Sequence, residues 1–263
     1  MCDHDTRALA RIVRVNHAFR CVAEPMLYDT VEAECDNATI AFCDSVLSYP
    51  RLGSLIRALH IRDIEGIDQR LIHQLPLLLH SLCNIRELTI RMNCYWSCDT
   101  LPILDALNSV AALSNLQAFS TNLIFTSSSI ASFLDAHPVI EHLESTRSLL
   151  SPGGHTYTVI QLPSTLLSLA CTPQVFRVIT KEAHVPRALS HLHLLHAHGQ
   201  ILAYAARLLG SQLVALRVGS RAVTEADGNW PLGTVVREFP HLRLLHVDMR
   251  HVRVPVPPEI RFC

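Results

Sequence analysis

The densest chemistry-bearing run in the chain is four histidines, His191, His193, His196 and His198. Imidazoles this close suggest metal ligation or proton transfer. His191 and His193, two residues apart, point the same way if the segment is extended. A zinc site needs three or four donors at about 2.0–2.3 Å. The next candidate, His246, falls two strands away, roughly 10 Å on the strand spacing. A second set, His80, Cys83, Cys94 and Cys98, loosely resembles zinc-ligand spacing. Between its halves lie Ile85, Leu88 and Ile90, the cleanest strand pattern in the chain. At roughly 3.3 Å per residue that strand carries Cys83 and Cys94 to opposite ends. Gly210-Ser211 lacks the flanking glycine of a nucleophile elbow. Gly153-Gly154 is not followed by a phosphate-binding Gly-Lys-Ser/Thr, and no histidine pair has metalloprotease spacing. Glu141, His142 and Glu144 are close in sequence, as charges on one strand often are. The sequence therefore predicts no catalytic, cofactor or metal site. A zinc-dependent or hydrolytic enzyme is the weakest of the readings.

The elements that hold these side chains follow from a repeated phrase: apolar, two residues, apolar, one residue, apolar. Eight copies begin at Ile56, Ile85, Leu116, Ile140, Leu166, Leu189, Leu213 and Leu242, spaced 29, 31, 24, 26, 23, 24 and 29 residues apart. Period and phrase together mark a leucine-rich-repeat solenoid, an α/β fold with a curved parallel sheet and outer helices. Helix-spaced apolar residues precede each phrase, for example Leu71, Leu75 and Leu78, or Ile201, Leu202, Ala205 and Leu209. One strand–helix unit cannot bury its own apolar face, but stacked units can. Residues 1–35 do not follow the repeat and are expected to form a helical cap, with Pro25 interrupting its second helix and Thr30-Val31 a first extended segment; residues 36–263 form the repeat domain. Ser151–His155 and Thr224–Gly233 carry loop signals, and the proline-rich Val252–Pro258 should be extended.

This register places alternate strand residues on an open face. The expected partner-binding surface comprises His60, Arg62, Glu87, Arg91, His142, Glu144, His191, His193, Arg217, His246 and Asp248. Arg62 and Arg91 should be lateral neighbours, and Arg217 should lie between His193 and His246. Asn93 is expected to bond neighbouring backbone groups in its turn. A surface of this kind has no built-in reaction and usually holds another macromolecule.

The N-terminal string Leu9, Val13, Val15-Asn16, Phe19, Ala23-Glu24-Pro25, Leu27-Tyr28, Thr30-Val31 resembles the second half of an F-box as found in fungal F-box/leucine-rich-repeat proteins. Phrases such as Phe239-Pro240-His241-Leu242 and Leu113-Ser114-Asn115-Leu116 are also similar to that family. The resemblance implies a substrate-recognition subunit of a cullin–RING ubiquitin ligase. Leu9, Val13, Val15, Phe19 and Leu27 would be the surviving half of the surface that docks the Skp-type adaptor. The family's leucine–proline opening helix has no counterpart here, so the F-box is expected to be a truncated one. The alternative is a repeat scaffold without ligase association.

Composition bounds the partner. Hydrophobic residues make up 49% of the 263, charged residues 17%, and the net charge is −1. That balance gives no pull toward phosphate backbones or anionic lipid, so neither nucleic acid nor membrane is expected as a partner; a protein substrate is. The acidic, polar start is unlike a secretory signal. The nine cysteines are odd in number and scattered, which suits free buried thiols in a reducing compartment. An intracellular protein, cytoplasmic or nuclear, is expected.

Overall fold

The computed structural model describes residues 3–64, 69–93, 101–108, 113–147, 160–180, 185–197, 199–219, 235 and 237–248. Nine strands form one sheet: β1 (Thr30–Ala33), β2 (Ala58–Ile64), β3 (Glu87–Met92), β4 (Ala118–Thr121), β5 (His142–Ser145), β6 (Ser168–Cys171), β7 (His191–Leu195), β8 (Ala215–Gly219) and β9 (Leu244–Asp248). Each pairs in parallel only with its neighbours in sequence, so spatial order follows chain order. Parallel neighbours require a crossover after every strand. The described crossover helices are α3 (Asp36–Ser48), α4 (Gln69–Ser81), α5 (Leu101–Asn108), α6 (Ser127–Ala136), α7 (Pro173–Thr180) and α8 (Gly199–Leu209). Two further helices, α1 (Asp3–Ile12) and α2 (His17–Tyr28), precede the sheet. The architecture is a solenoid-like α/β stack.

Two expectations change. Among the described residues the sheet has nine strands rather than eight: the extended segment expected at Thr30-Val31 joins it as β1, with Val31 opposite Leu59 and Ala33 opposite Ile61. Pro25 does not interrupt α2, which runs on to Tyr28. Both Pro25 and Cys21 are exposed, so water can take the hydrogen bond that the missing N–H leaves unmade. Helix α7 precedes the sixth phrase, in keeping with a helix before each one. The loops expected at 151–155 and 224–233 and the extended tail at 252–258 lie outside the described residues.

Strand alternation explains the interior. Ile61, Ile90 and Leu194 are fully buried in one continuous core, while Val247 on the edge strand is half-buried. The leading residue of seven phrases, from Ile56 to Leu213, is also fully buried. Each such side chain contributes about 2 kcal/mol relative to exposure. In β4 and β5 the third apolar position is taken by Thr121 and Ser145, both buried. Thr121 Oγ1 donates to the Ile90 carbonyl at 3.0 Å. Phe119, Phe125 and Phe133 fill the adjacent volume, with ring centroids 4.6–6.3 Å apart. In β6 the same position is Cys171, whose burial pushes its thiol up. Burial, with Asp44 alongside, pushes the Cys43 thiol up to about 12. Those two thiols are inert hydrophobes as expected, whereas Cys21, Cys35 and Cys83 are free and exposed.

Polar side chains stitch successive turns. Asn84 donates to the Ser54 carbonyl at 2.7 Å. Thr165 reaches the carbonyls of Pro138 at 3.0 Å and Ile140 at 2.8 Å. Gln212 reaches those of Pro186 at 2.9 Å and Leu189 at 3.1 Å. Each occupies the position just before its phrase.

Three residues before each phrase lies a buried column that includes Leu82, Leu113 and His137. His137 Nε2 donates to the Leu107 carbonyl at 2.6 Å, while its Nδ1 is buried with no hydrogen-bond partner among the described residues. Burial lowers its pKa below the ordinary 6.5, against a smaller opposing pull from the Leu107 and Leu113 backbone. The unfolded chain therefore takes this proton more readily than the folded one. The stabilisation is complete above about pH 6.5 and is lost as pH falls below it. His137→Leu, the residue type of two neighbouring turns, should lose less melting temperature between pH 7.5 and 5.0 than the native protein. Thermal unfolding followed by circular dichroism checks this, and equal losses would contradict it.

Candidate protein-interaction surface

The open face is built from two rows set by strand register. One runs Ala58, Glu87, Ala118, His142, Ser168, His191, Ala215, Leu244; the other runs His60, Thr89, Ser120, Glu144, Ala170, His193, Arg217, His246. Arg217 lies between His193 and His246, which are thus about 10 Å apart at two strand spacings. The side chain of Asp248 is outside the described residues; its backbone pairs with Gly219.

Arg62 and Arg91 are not register partners. Ile61 pairs with Ile90 but Ile64 with Met92, so Arg62 and Asp63 together oppose Arg91 in a bulge. Asp63 takes the extra turn with φ 54°, a left-handed conformation that aspartate tolerates better than most residues. Among the described residues the Asn93 side-chain amide donates to Asp63 Oδ1 at 3.3 Å, and the rest of its turn, where backbone partners were expected, lies outside them. Asn122 bonds the neighbouring turn's backbone, accepting from Met92 N and donating to the Met92 carbonyl, both at 2.7 Å.

Freed from Arg62, Arg91 reaches across the sheet. Its Nη2 lies 2.8 Å from Glu144 Oε2 and donates to Ser120 Oγ at 3.2 Å. Ser120 Oγ donates to the same carboxylate oxygen at 2.6 Å. The network spans β3, β4 and β5 and fixes Glu144, which is less exposed than Arg91. His60, expected on the open face, is buried at 8% exposure. Its Nδ1 lies 3.1 Å from Thr89 Oγ1 and its Nε2 3.9 Å from Glu87 Oε1. Between these groups the small side chains of Ala118, Ser120, Ser168 and Ala170 floor a groove of about 350 Å³ rimmed by Glu87, His142 and Glu144.

Ser190 Oγ and His191 Nδ1 are 2.9 Å apart, but they are sequence neighbours, and among the described residues no carboxylate orients that ring. Among the described residues no three His, Cys, Asp or Glu side chains converge as metal ligands. His80 and Cys83 are exposed, and their proposed companions Cys94 and Cys98 lie outside the described residues, as does His198. The chain matches no protein-family model and no curated protein.

A second surface lies on the helices before β1. Val15, Phe19, Val22 and Met26 are 66%, 52%, 69% and 55% exposed. Phe19, Val22 and Met26 form one helical stripe at spacings of three and four. Val22 and Met26 were not among the expected docking residues, although that spacing is legible in the sequence. Of the expected set, Leu9, Val13 and Leu27 are half-buried, so only Val15 and Phe19 are presented outward. Asn16 starts α2 by accepting from Phe19 N at 2.9 Å. Glu24, 4% exposed, ties the helix to the repeat stack through Arg51 Nη2 at 2.7 Å. Charge-assisted bonds of this kind contribute about 1.5–3 kcal/mol. Among the described residues no helix is long and apolar enough to cross a membrane.

Proposed function

We propose that this chain is a non-catalytic protein-interaction module of the leucine-rich-repeat type. Its most specific form is a substrate-recognition subunit similar to F-box/leucine-rich-repeat proteins. The observation that carries this reading is a pair of separate presenting surfaces on one rigid stack. One is the polar open face of an all-parallel sheet whose other face is buried along β2 to β8. The other is the bare apolar stripe of Phe19, Val22 and Met26, held to the stack by Glu24 and Arg51. Exposed apolar stripes on soluble helices mark partner sites. On this reading the stripe meets a Skp-type adaptor, and the open face around Arg91 and Glu144 receives a protein substrate.

The test is isothermal titration of the purified chain with a Skp-type adaptor. The native chain should bind, and Phe19→Asp with Val22→Asp should weaken binding about a hundredfold, as loss of central anchors does. Failure of the native chain to bind would leave a repeat scaffold without ligase association.

A further inference from the structure

We propose that the rim where β1–β4 begin is a binding groove for an extended acidic peptide segment flanked by apolar residues. This site is separate from the open face and adjoins the apolar stripe, sharing Met26 with it. The residues entering these strands are Asp29, Arg57, Arg86 and Gln117. Their backbone is a rigid ladder, because each carbonyl takes two amides of the next turn. Asp29 O accepts from Arg57 N and Ala58 N, both at 2.9 Å; Arg57 O accepts from Arg86 N at 2.7 Å and Glu87 N at 3.0 Å; Arg86 O accepts from Gln117 N at 2.8 Å and Ala118 N at 2.9 Å. The backbone that carries these side chains is thus set before any ligand arrives, which lowers the cost of binding.

The rim encloses a groove of about 810 Å³, the walls of which include Met26, Arg57, Arg86, Asn115, Gln117 and Val139. Two arginines on adjacent strands repel each other. Only one carboxylate answers them: Arg57 Nη1 lies 3.4 Å from Asp29 Oδ1, and among the described residues Arg86 has no carboxylate within 4 Å. One net positive charge thus faces the groove, matched to a single ligand carboxylate, which a guanidinium binds through paired hydrogen bonds. Asn115 and Gln117 offer further amide donors and acceptors. Met26 at one end and Val139 at the other are 55% and 40% exposed, so the polar centre is bounded by apolar ends. From β1 to β5 the groove spans four strand spacings, about 19 Å, or roughly six extended residues. One unbalanced cation is too little for a phosphate backbone, whose binding rests on many neutralised charges. The combination fits a short peptide with an acidic residue between apolar ones.

A phage-displayed random heptapeptide library selected on the full chain supplies the probe, and fluorescence polarisation of the enriched peptide measures it. The expected result is enrichment of an aspartate or glutamate flanked by apolar residues. Binding should weaken at least tenfold for Arg86→Glu, less for Arg86→Gln, and at least tenfold when the peptide's acid becomes its amide. Arg177→Glu, an equal charge change at an exposed position of α7, should leave affinity unaltered. Recovery of no binder, of binders without an acid, or of equal affinity for the native chain and folded Arg86→Glu or Arg86→Gln would overturn the proposal.

Discussion

Phe133→Ala should lower the free energy of unfolding by about 4 kcal/mol, within the range for deleting a buried aromatic ring. Phe133 is fully buried. Its ring centroid lies 4.6 Å from that of Phe119, 5.8 Å from Phe125 and 4.6 Å from His137. These partners belong to two consecutive turns, so the cavity would open between units rather than within one. In a stacked array, stability is a sum of unit and nearest-neighbour terms, and this substitution weakens one neighbour term. The urea transition should therefore move to lower concentration and broaden, because the array is loosened in its middle. Phe133→Leu should cost about a third as much, since most of the volume is kept. An unchanged midpoint for Phe133→Ala would show that the aromatic cluster is not packed as described.

Gly53→Ala should destabilise by about 3 kcal/mol, the upper end of ordinary overpacking. At most sites the same change stabilises slightly by restricting the unfolded chain, so the sign is the informative part. A Cβ on Gly53 would stand 2.5 Å from the Ser81 carbonyl oxygen, a backbone atom at the end of α4 that no rotamer change can move aside. Gly210 sits at the same place in its turn, three residues before the phrase. Its Cβ would meet the Ala206 and Glu238 carbonyls, both at 2.5 Å. Gly219 is the internal control, because its nearest contact would be an ordinary 3.6 Å. Chemical denaturation of the three alanine variants should rank Gly53 and Gly210 far below Gly219.

The strand register was legible in the sequence because leucine-like residues at fixed offsets leave little choice of facing. Once Leu192 and Leu216 point inward, His193 and Arg217 must point outward. What escaped lacked that repetition. The first strand was read only as an extended segment, not as a copy of the phrase, because Tyr28 stands where every later copy opens with leucine or isoleucine. The bulge at Arg62 and Asp63 depends on one left-handed residue, which carries no periodic signal. The groove along the strand starts gathers Met26, Arg57, Arg86 and Val139 from separate turns, so no local motif announces it. The Phe19, Val22 and Met26 stripe was readable, and was missed because an apolar helical face is ordinarily taken as core.

The stitching side chains all face one way along the stack. Asn84, Thr165 and Gln212 donate backwards, to carbonyls of the preceding turn. A turn leaving the ribosome thus finds its acceptors already in place, and synthesis from the amino end matches the order in which the contacts close. Shortening from the carboxyl end would leave bare carbonyls for water to satisfy. Shortening from the amino end would instead take away the template against which each later turn is set.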